Sequence, residues 1–324
     1  MIATAVGHYP RIGDTPEEQR LRRAIQAHQA QKVSAAELRA MQDDVTAEVL
    51  AEQARAGLDQ VTDGQIRWDD GQTYLTQRLE GFERGGMIRY FDTNTYYRQP
   101  IAVAKVRWKS PILVEDFCFA QARSRKPVRV VLTGPYTLAR LSADQHYRDL
   151  VAFTMDLADA LHSEARALVQ AGATVLQVDE PALTLHHEDE PLVSRALARI
   201  FDGLSVTRAA YLYHGPQAGL FDTASVWPVD VVGFDLVTEP KLIDRLAQEG
   251  FPKAVGAGLV NARNTKLESA DSIAAVLRRV TAKVPAQNVH AGPHCGLEFL
   301  PRARAFDKLV RLVEGVRRYE EGSR

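Results

Sequence analysis

Short apolar stretches recur along the chain and alternate with segments whose apolar residues are spaced three and four positions apart. The short stretches are typical of buried parallel strands, and the wider spacing is typical of helices. The pattern therefore predicts strands separated by helices. The eight predicted strands are residues 3–7, 60–64, 128–134, 174–180, 208–214, 229–235, 254–261 and 288–295.

The helix before the second predicted strand has clear sequence boundaries. Ser34 and Glu37 have the spacing of a capping box, in which each side chain bonds the backbone N–H of the other residue. Apolar residues then follow at three- and four-residue steps from Leu38 to Val49. Gly57, just past the helix, suits a left-handed cap.

Eight strands that alternate with helices predict an α/β protein with a (β/α)8 (TIM) barrel. We expect a single catalytic domain that spans residues 1–324. An open, doubly wound sheet is the alternative. Neither GxGxxG nor GxxxxGK[ST] follows the first predicted strand, so the barrel is favoured.

The interval between the second and third predicted strands is unusually long. Residues 82–107 contain Gly85-Gly86 followed by alternating apolar and polar residues, which predicts a hairpin insertion. A long excursion from the carboxyl end of a barrel strand is often a lid or binding loop. The alternative is that the insertion only packs against the rest of the protein and has no role in binding.

The composition of the chain argues against several classes of protein. The formal net charge is −1, and no block of like charge occurs, so nucleic acid is not an expected partner. No signal peptide and no transmembrane run is evident, so we expect no membrane association. The cysteines, Cys118 and Cys295, do not form a secreted disulfide framework. A cytoplasmic location is expected.

Polar residues gather where the predicted strands end. Active sites of such barrels lie at the carboxyl ends of the strands. The residues at these ends are Gly7-His8, Asp63-Gly64-Gln65, Thr133-Gly134-Pro135, Asp179-Glu180, His214, Asp235, Asn261 and His294-Cys295. Because the strand interiors are mostly apolar, this clustering is the strongest functional signal in the sequence.

Three of these residues could bind a metal ion. His214, Asp235 and Cys295 offer a nitrogen, an oxygen and a sulfur from the fifth, sixth and eighth strands. Three protein ligands with an open position are typical of catalytic zinc. The alternative is structural, since a buried cysteine is often a small apolar residue and a strand-end histidine often bonds backbone.

The acidic pair Asp179-Glu180 also has two interpretations. It could bind a substrate ammonium group, or it could pair with an arginine across the mouth of the barrel. The sequence does not decide between them.

Several motifs together resemble the cobalamin-independent methionine synthase family. They are VGHYPR, GLDQVTDGQ, LEGF, VLTGPYT, QVDEPAL, the histidine of the fifth strand and GPHCGL, in the family's order. The chain is most similar to the catalytic C-terminal barrel and its short, stand-alone "core" relatives. The resemblance implies zinc-dependent transfer of a methyl group to the sulfur of homocysteine.

The resemblance also implies roles for individual residues. Zinc would bind His214, Asp235 and Cys295. The carboxylate of homocysteine would bind backbone near Gly7 and His8. Its amino group would bind Asp179, helped by Gln65, and Asp179 and Asn261 would be the catalytic residues.

Four departures from the family pattern bear on the metal and on the methyl donor. Pro216 stands where a second zinc-binding cysteine is expected, which leaves a three-ligand site, no site, or a site completed by His8 or His294. Gln65 replaces a glutamate, Asn261 a proton-donating histidine and Leu141 a folate-stacking tryptophan. The expected donor is therefore a methylated corrinoid, free or protein-bound, rather than folate.

Three other functions remain open at the sequence level. One is a zinc-dependent alkyltransferase that acts on another thiol such as coenzyme M, for which the neutral Gln65 is suited. Another is a non-catalytic relative that binds a small molecule. A decarboxylase is the third, although Arg11 alone gives it little support. The oligomeric state is not predicted.

Overall fold

The structure is a computed structural model that describes residues 1–322. Parallel strands alternate with helices along most of the chain, which confirms the α/β class. The strands are β1 (Ile2–Ala3), β2 (Glu80–Arg89), β3 (Tyr96–Arg107), β4 (Val130–Thr133), β5 (Ala143–Asp144), β6 (Val175–Asp179), β7 (Thr207–Tyr211), β8 (Val231–Asp235), β9 (Ala254–Val260) and β10 (Val289–Pro293). The helices are α1 (Arg20–Gln29), α2 (Ala35–Ala56), α3 (Thr73–Thr76), α4 (Val114–Arg123), α5 (Pro135–Leu141), α6 (Leu150–Gln170), α7 (Glu190–Ile200), α8 (Phe221–Ala224), α9 (Lys241–Glu249), α10 (Ala270–Val280) and α11 (Arg302–Glu321).

The chain divides into two compact units, which are described separately. The first unit comprises Met1–Arg67, Cys118–Arg129 and Asp235–Arg324, and the second comprises Trp68–Phe117 and Val130–Phe234. The single catalytic domain expected from the sequence stays a prediction.

In the first unit, parallel pairing brings the start of the chain beside its last strand. β1 pairs with β10, with Ile2 opposite His290, and β10 pairs with β9. The helices α2, α10 and α11 bury their apolar faces in this unit. Its fully buried side chains include Val49, Leu58, Val255, Leu277, Val289, Leu309 and Leu312. These contacts fix the position of the loop that follows β1.

The second predicted strand is present only as isolated bridges. They join Thr4 to Gln60 and Val61 to Val128. The backbone φ is +68° at Gly64 and +52° at Gln65, so two successive left-handed residues turn the chain out of the strand. The eight-stranded barrel therefore stays a prediction.

In the second unit, four parallel strands lie in the order β4, β6, β7 and β8. Thr133 is opposite Asp179, and Asp179 is opposite Tyr211, so the carboxyl ends of three strands are level. The helices α6 and α7 supply much of the apolar cover. Buried side chains here include Leu132, Leu157, Leu161, Leu176, Val178, Val193, Leu197 and Val232.

The same unit contains an antiparallel hairpin made of β2 and β3. Gly85 and Gly86 lie within β2, where the register shifts, and the turn lies between Arg89 and Tyr96. A Cβ atom on Gly85 would be 2.7 Å from the carbonyl oxygen of Gln99, so the close approach of the two strands requires glycine. That the hairpin is an insertion in a barrel stays a prediction.

The capping box of α2 is confirmed. Ser34 Oγ accepts the N–H of Glu37 (3.2 Å), and Glu37 Oε2 accepts the N–H of Ser34 (2.7 Å). Gly57 ends the helix with φ at +93°. Among residues 1–322, no helix is both long and apolar enough to cross a membrane.

Glu164 fastens the segment after the hairpin to α6. Its carboxylate accepts hydrogen bonds from Trp108 Nε1 (2.8 Å) and from the N–H groups of Ile112 (2.8 Å) and Leu113 (2.7 Å). Glu164 is 0% exposed, so these donors have little access to water if the carboxylate is lost.

We predict that Glu164→Gln lowers the free energy of unfolding by about 2–3 kcal/mol, because the new amide NH2 faces donors that it cannot accept from. Urea denaturation measures this loss. The exposed Glu320→Gln on α11 is the control and should change stability by less than about 0.5 kcal/mol. Equal stability of the two variants would contradict the role given to Glu164.

Candidate active site

Asp179 lies at the carboxyl end of β6 and is 7% exposed. Gln177 Nε2 donates to its Oδ1 (2.6 Å), and the hydroxyl of Tyr213 donates to its Oδ2 (2.9 Å). Residues two apart on a strand share a face, so Gln177 reaches the carboxylate from the same strand. The carboxylate is thus held by two neutral side chains in the second unit.

Glu180 has a different environment from its neighbour. Its carboxylate accepts the N–H groups of Tyr136 (3.1 Å) and Thr137 (2.8 Å) and the hydroxyl of Thr137 (2.6 Å) at the start of α5. A Cβ atom on Gly134 would be 2.1 Å from the Glu180 carboxyl carbon, so glycine is required there. Glu180 therefore anchors a helix, and the two acids of the motif have separate roles.

Burial raises the pKa of Glu180 from its usual 4.5 to about 7, and the hydrogen bonds from Thr137 and Tyr136 only partly oppose this effect. The charge of Asp179 adds to the increase. The folded protein consequently holds a proton that the unfolded chain releases at lower pH.

His214 lies three residues beyond β7 and is surrounded by aromatic rings. Its φ is +74°, a left-handed value that is uncommon for a histidine. The ring of Tyr213 is edge-on at 4.7 Å, and Tyr90 and Phe91 from the hairpin turn approach at 5.9 and 5.6 Å. The turn of the hairpin thus covers one side of this histidine.

In the first unit, hydrogen bonds hold the loop after β1, which contains the predicted substrate contacts Gly7 and His8. Thr62 Oγ donates to the carbonyl of Gly7 (2.8 Å), and Leu297 N–H donates to the carbonyl of His8 (2.8 Å). His8 therefore lies beside the Cys295 loop, as the pairing of the first and last strands predicts. Burial, with the nearby Arg11 charge, lowers the pKa of His8 to about 3, so its imidazole is neutral at physiological pH.

Gln65 is buried and its φ is +52°. Its N–H donates to Asp63 Oδ1 (3.0 Å). Among the described residues 1–322, its side-chain Oε1 is buried with no hydrogen-bond partner. A buried amide oxygen without a donor is costly, which suits a position that receives a donor from a ligand.

His294, just after β10, lies near both Cys295 and Asp235, the last residue of β8. His294 Nε2 is 3.5 Å from Cys295 Sγ and 3.9 Å from Asp235 Oδ2. Asp235 also accepts the N–H groups of Val237 and Thr238, both at 2.9 Å. His294 Nδ1 lies 3.1 Å from the carbonyl of Val260 and 3.0 Å from the N–H of Ala262, so backbone groups fix the ring at this nitrogen and Nε2 is on its other side.

Asn261 follows β9 and stabilises its own loop. Its Oδ1 accepts the N–H of Arg263 (2.8 Å), and its N–H donates to Glu268 Oε1 (2.9 Å). The fully buried Lys308 of α11 lies 3.1 Å from Glu268, which fixes this loop to the helix.

The predicted site residues therefore form two groups. The first unit contains Gly7, His8, Gln65, Asp235, Asn261 and Cys295, and the second contains Asp179 and His214. Within residues 1–322, no three His, Cys, Asp or Glu side chains converge closely enough to hold a metal ion. The predicted zinc ligands and substrate contacts stay predictions.

Sequence reasoning did not identify Gln177, Tyr213 or the aromatic residues of the hairpin turn. The two-residue period of a strand places Gln177 on the face of Asp179 and could have indicated it. Tyr213 follows β7, and Asp179 ends the neighbouring strand β6. Nothing in the sequence indicates that their side chains meet, because the contact depends on the register of the two strands.

A family model described as "Cobalamin-independent synthase, Catalytic domain" matches residues 1–210 and 215–317. The chain belongs to the cobalamin-independent methionine synthase family. It is therefore a methyltransferase of methionine biosynthesis. The interruption in the match covers residues 211–214, the segment that carries Tyr213 and His214.

Individual relatives agree with this assignment. The chain is 33% identical over 308 residues to a methionine synthase of Saccharolobus solfataricus, covering 94% of this chain and 92% of that protein. It is 33% identical over 311 residues to one of Sulfurisphaera tokodaii, with 94% and 90% covered. A B12-independent methionine synthase from Shewanella sp. W3-18-1, solved with selenomethionine, has a similar fold at a TM-score of 0.83, with 21% identity over 99% of this chain and 98% of that one.

The raised pKa of Glu180 predicts a pH dependence of stability. A carboxyl group whose pKa is higher in the folded state stabilises the protein below pH 4.5, and this contribution is lost as pH rises through about 7. We expect Glu180→Gln to reduce the fall in unfolding free energy between pH 5 and pH 8 by about 2–3 kcal/mol.

Denaturation at several pH values measures this slope, with Glu320→Gln as the control that keeps the parent slope. A Glu180→Gln protein with the same pH dependence as the parent would show that Glu180 titrates normally.

Proposed function

We propose that the protein transfers a methyl group to the sulfur of homocysteine and forms methionine. The observation that carries the proposal is the buried Asp179 carboxylate of the QVDEPAL motif, which is held by two neutral donors. Neutral donors add no positive charge beside the carboxylate, whereas a cationic partner would compete with an ammonium group. Membership of the methionine synthase family supports the reaction.

The donor chemistry of the first unit fits zinc. Cys295 Sγ and His294 Nε2 are 3.5 Å apart, which is about the edge of a tetrahedron with Zn–S near ~2.3 Å and Zn–N near ~2.0 Å. Asp235 provides an oxygen 3.9 Å from the same nitrogen. We propose Cys295 and Asp235 as zinc ligands together with His214 of the second unit.

His294 is the better candidate for the place of the missing cysteine. Its Nε2 is turned toward Cys295, and its Nδ1 contacts backbone, as is usual for a metal-binding histidine. His8 is linked to the Cys295 loop through its carbonyl oxygen instead. Zinc, when bound, would keep the substrate sulfur as a thiolate, the nucleophilic form.

The remaining residues orient the substrate. The Asp179 carboxylate would bind its ammonium group, and backbone near Gly7 and His8 would bind its carboxylate. Gln65 Oε1, buried without a partner among residues 1–322, would accept a further N–H of the ammonium group. Fixing the sulfur in line with the methyl group supplies much of the rate.

For the methyl donor, we propose a methylated corrinoid, free or protein-bound. The methyl carbon forms a bond to sulfur as its bond to the donor breaks, and the electron pair stays with the donor. The amide of Asn261 caps its own loop and cannot supply a proton as an imidazolium can. Leu141, at the end of α5, offers no aromatic face to a pterin ring.

The proposal extends to the fold and to the location of the protein. We infer a (β/α)8 barrel, because the fragment at Gln60 and Val61 bridges to a strand region on each side. A single catalytic domain over residues 1–324 and a cytoplasmic location agree with the composition.

A second function is an alkyl transfer to a thiol without an amino group, of the coenzyme M type. The neutral Gln65 favours it, because a carboxylate at this position would attract an ammonium group more strongly. Comparing homocysteine with 2-mercaptoethanesulfonate as methyl acceptors distinguishes the two functions.

We predict that Cys295→Ser loses bound zinc and at least about 100-fold of its methyl-transfer rate, since a ligand of the catalytic zinc and the means of thiol activation are lost together. Metal analysis and methionine formation from homocysteine and methylcobalamin measure both effects. Cys118→Ser is the matched control, because Cys118 is exposed and lies far along the chain from the proposed ligands.

Both readouts should be unchanged in Cys118→Ser. Full zinc content in Cys295→Ser would refute Cys295 as a ligand, whatever happened to the activity.

A further inference from the structure

We propose that Tyr213 is a positioning residue that holds Asp179 for an ammonium group and so selects thiols that carry an amino group. This inference rests on the proposed function and assigns one determinant of its specificity. Tyr213 lies between the two stretches that the family model matches, residues 1–210 and 215–317.

The geometry is that of a fixed carboxylate. The Tyr213 hydroxyl donates to Asp179 Oδ2 at 2.9 Å, and Gln177 Nε2 donates to Oδ1 at 2.6 Å. Asp179, Tyr213 and Gln177 are 7%, 9% and 0% exposed. Each carboxylate oxygen accepts one of these two hydrogen bonds, and rotation of the carboxylate would break both of them.

The donors leave the charge of Asp179 in place. A phenol and an amide are neutral, whereas an arginine or lysine partner would cancel the negative charge that an ammonium group needs. Each carboxylate oxygen can accept more than one hydrogen bond, so these two bonds do not by themselves use its full capacity. The Tyr213 bond fixes the direction in which the carboxylate faces.

Tyr213 also contacts the neighbouring functional residue. Its ring is edge-on to His214, with 4.7 Å between centroids and an interplanar angle of 83°. Substitution by phenylalanine retains this ring contact and removes only the hydroxyl. Tyr213→Phe therefore separates the effect on Asp179 from any effect on His214.

The test compares two ligands that differ in the amino group. Isothermal titration calorimetry with the zinc-loaded, full-length protein uses L-methionine and 4-(methylthio)butanoate, which lacks the amine. We expect Tyr213→Phe to weaken methionine binding about tenfold, or about 1.4 kcal/mol, and to leave the amine-free ligand unchanged. The KM for homocysteine should rise by a similar factor while kcat stays within about twofold.

Tyr147→Phe is the matched control. It removes another tyrosine–aspartate hydrogen bond, from Tyr147 to Asp156 (2.8 Å), in the same unit. Binding of both ligands should be unchanged. Gln177→Met removes the other bond to Asp179 and should repeat the selective loss, which gives a second test if Tyr213→Phe is poorly folded.

The outcomes separate this inference from the proposed function. If the parent protein binds methionine and Tyr213→Phe binds it equally well, or weakens both ligands equally, the role of Tyr213 is refuted and the proposed function stands. If the parent protein binds neither ligand, the proposed function fails and this inference fails with it.

Discussion

The site depends on keeping carboxylates charged or hydrogen-bonded where strands end in the protein interior. Asp179, Glu180 and Asp235 are between 0% and 7% exposed, so each requires donors to replace water. Asp235 accepts hydrogen bonds from the N–H groups two and three residues further along its own loop. Glu180 accepts them from N–H groups at the start of α5, and Asp179 accepts them from two side chains.

Backbone donors and side-chain donors have different chemical consequences for the carboxylates that they hold. Backbone N–H groups at the start of α5 hold the Glu180 carboxylate. Burial is the main cause of the raised pKa of Glu180. The two side-chain donors of Asp179, Gln177 and Tyr213, are neutral and add no positive charge beside its carboxylate. Adjacent acids in one motif thus have different environments: Glu180 is held by the start of α5, and Asp179 is the residue that we propose binds a substrate ammonium group.

Much of the fold could be predicted from the sequence, because it is encoded locally. Seven of the eight apolar stretches overlap strands, and the capping box and Gly57 set the limits of α2. The second stretch is shorter than its pattern suggests, because the left-handed Gly64 and Gln65 end it. Position-specific backbone angles of this kind are not visible in a hydrophobic pattern.

The site could be predicted only in part. The ends of the predicted strands indicated Asp179, His214, Asp235 and Cys295, and the binding roles of these residues stay predictions. The partners of Asp179 and the aromatic rings beside His214 depend on strand register and on the position of the hairpin turn. These are tertiary relations between residues far apart in the chain, and no local signal encodes them.

The most direct test of the central claim follows the methyl group itself. Purified, zinc-loaded protein is incubated with methylcobalamin that carries a ¹³C-labelled methyl group and with either homocysteine or 2-mercaptoethanesulfonate, and the products are analysed by mass spectrometry. Methyl transfer to the homocysteine sulfur predicts methionine that contains the label and forms in proportion to enzyme concentration. If no labelled methionine forms while 2-mercaptoethanesulfonate becomes labelled, the protein is not a methionine synthase with this donor and the account is contradicted.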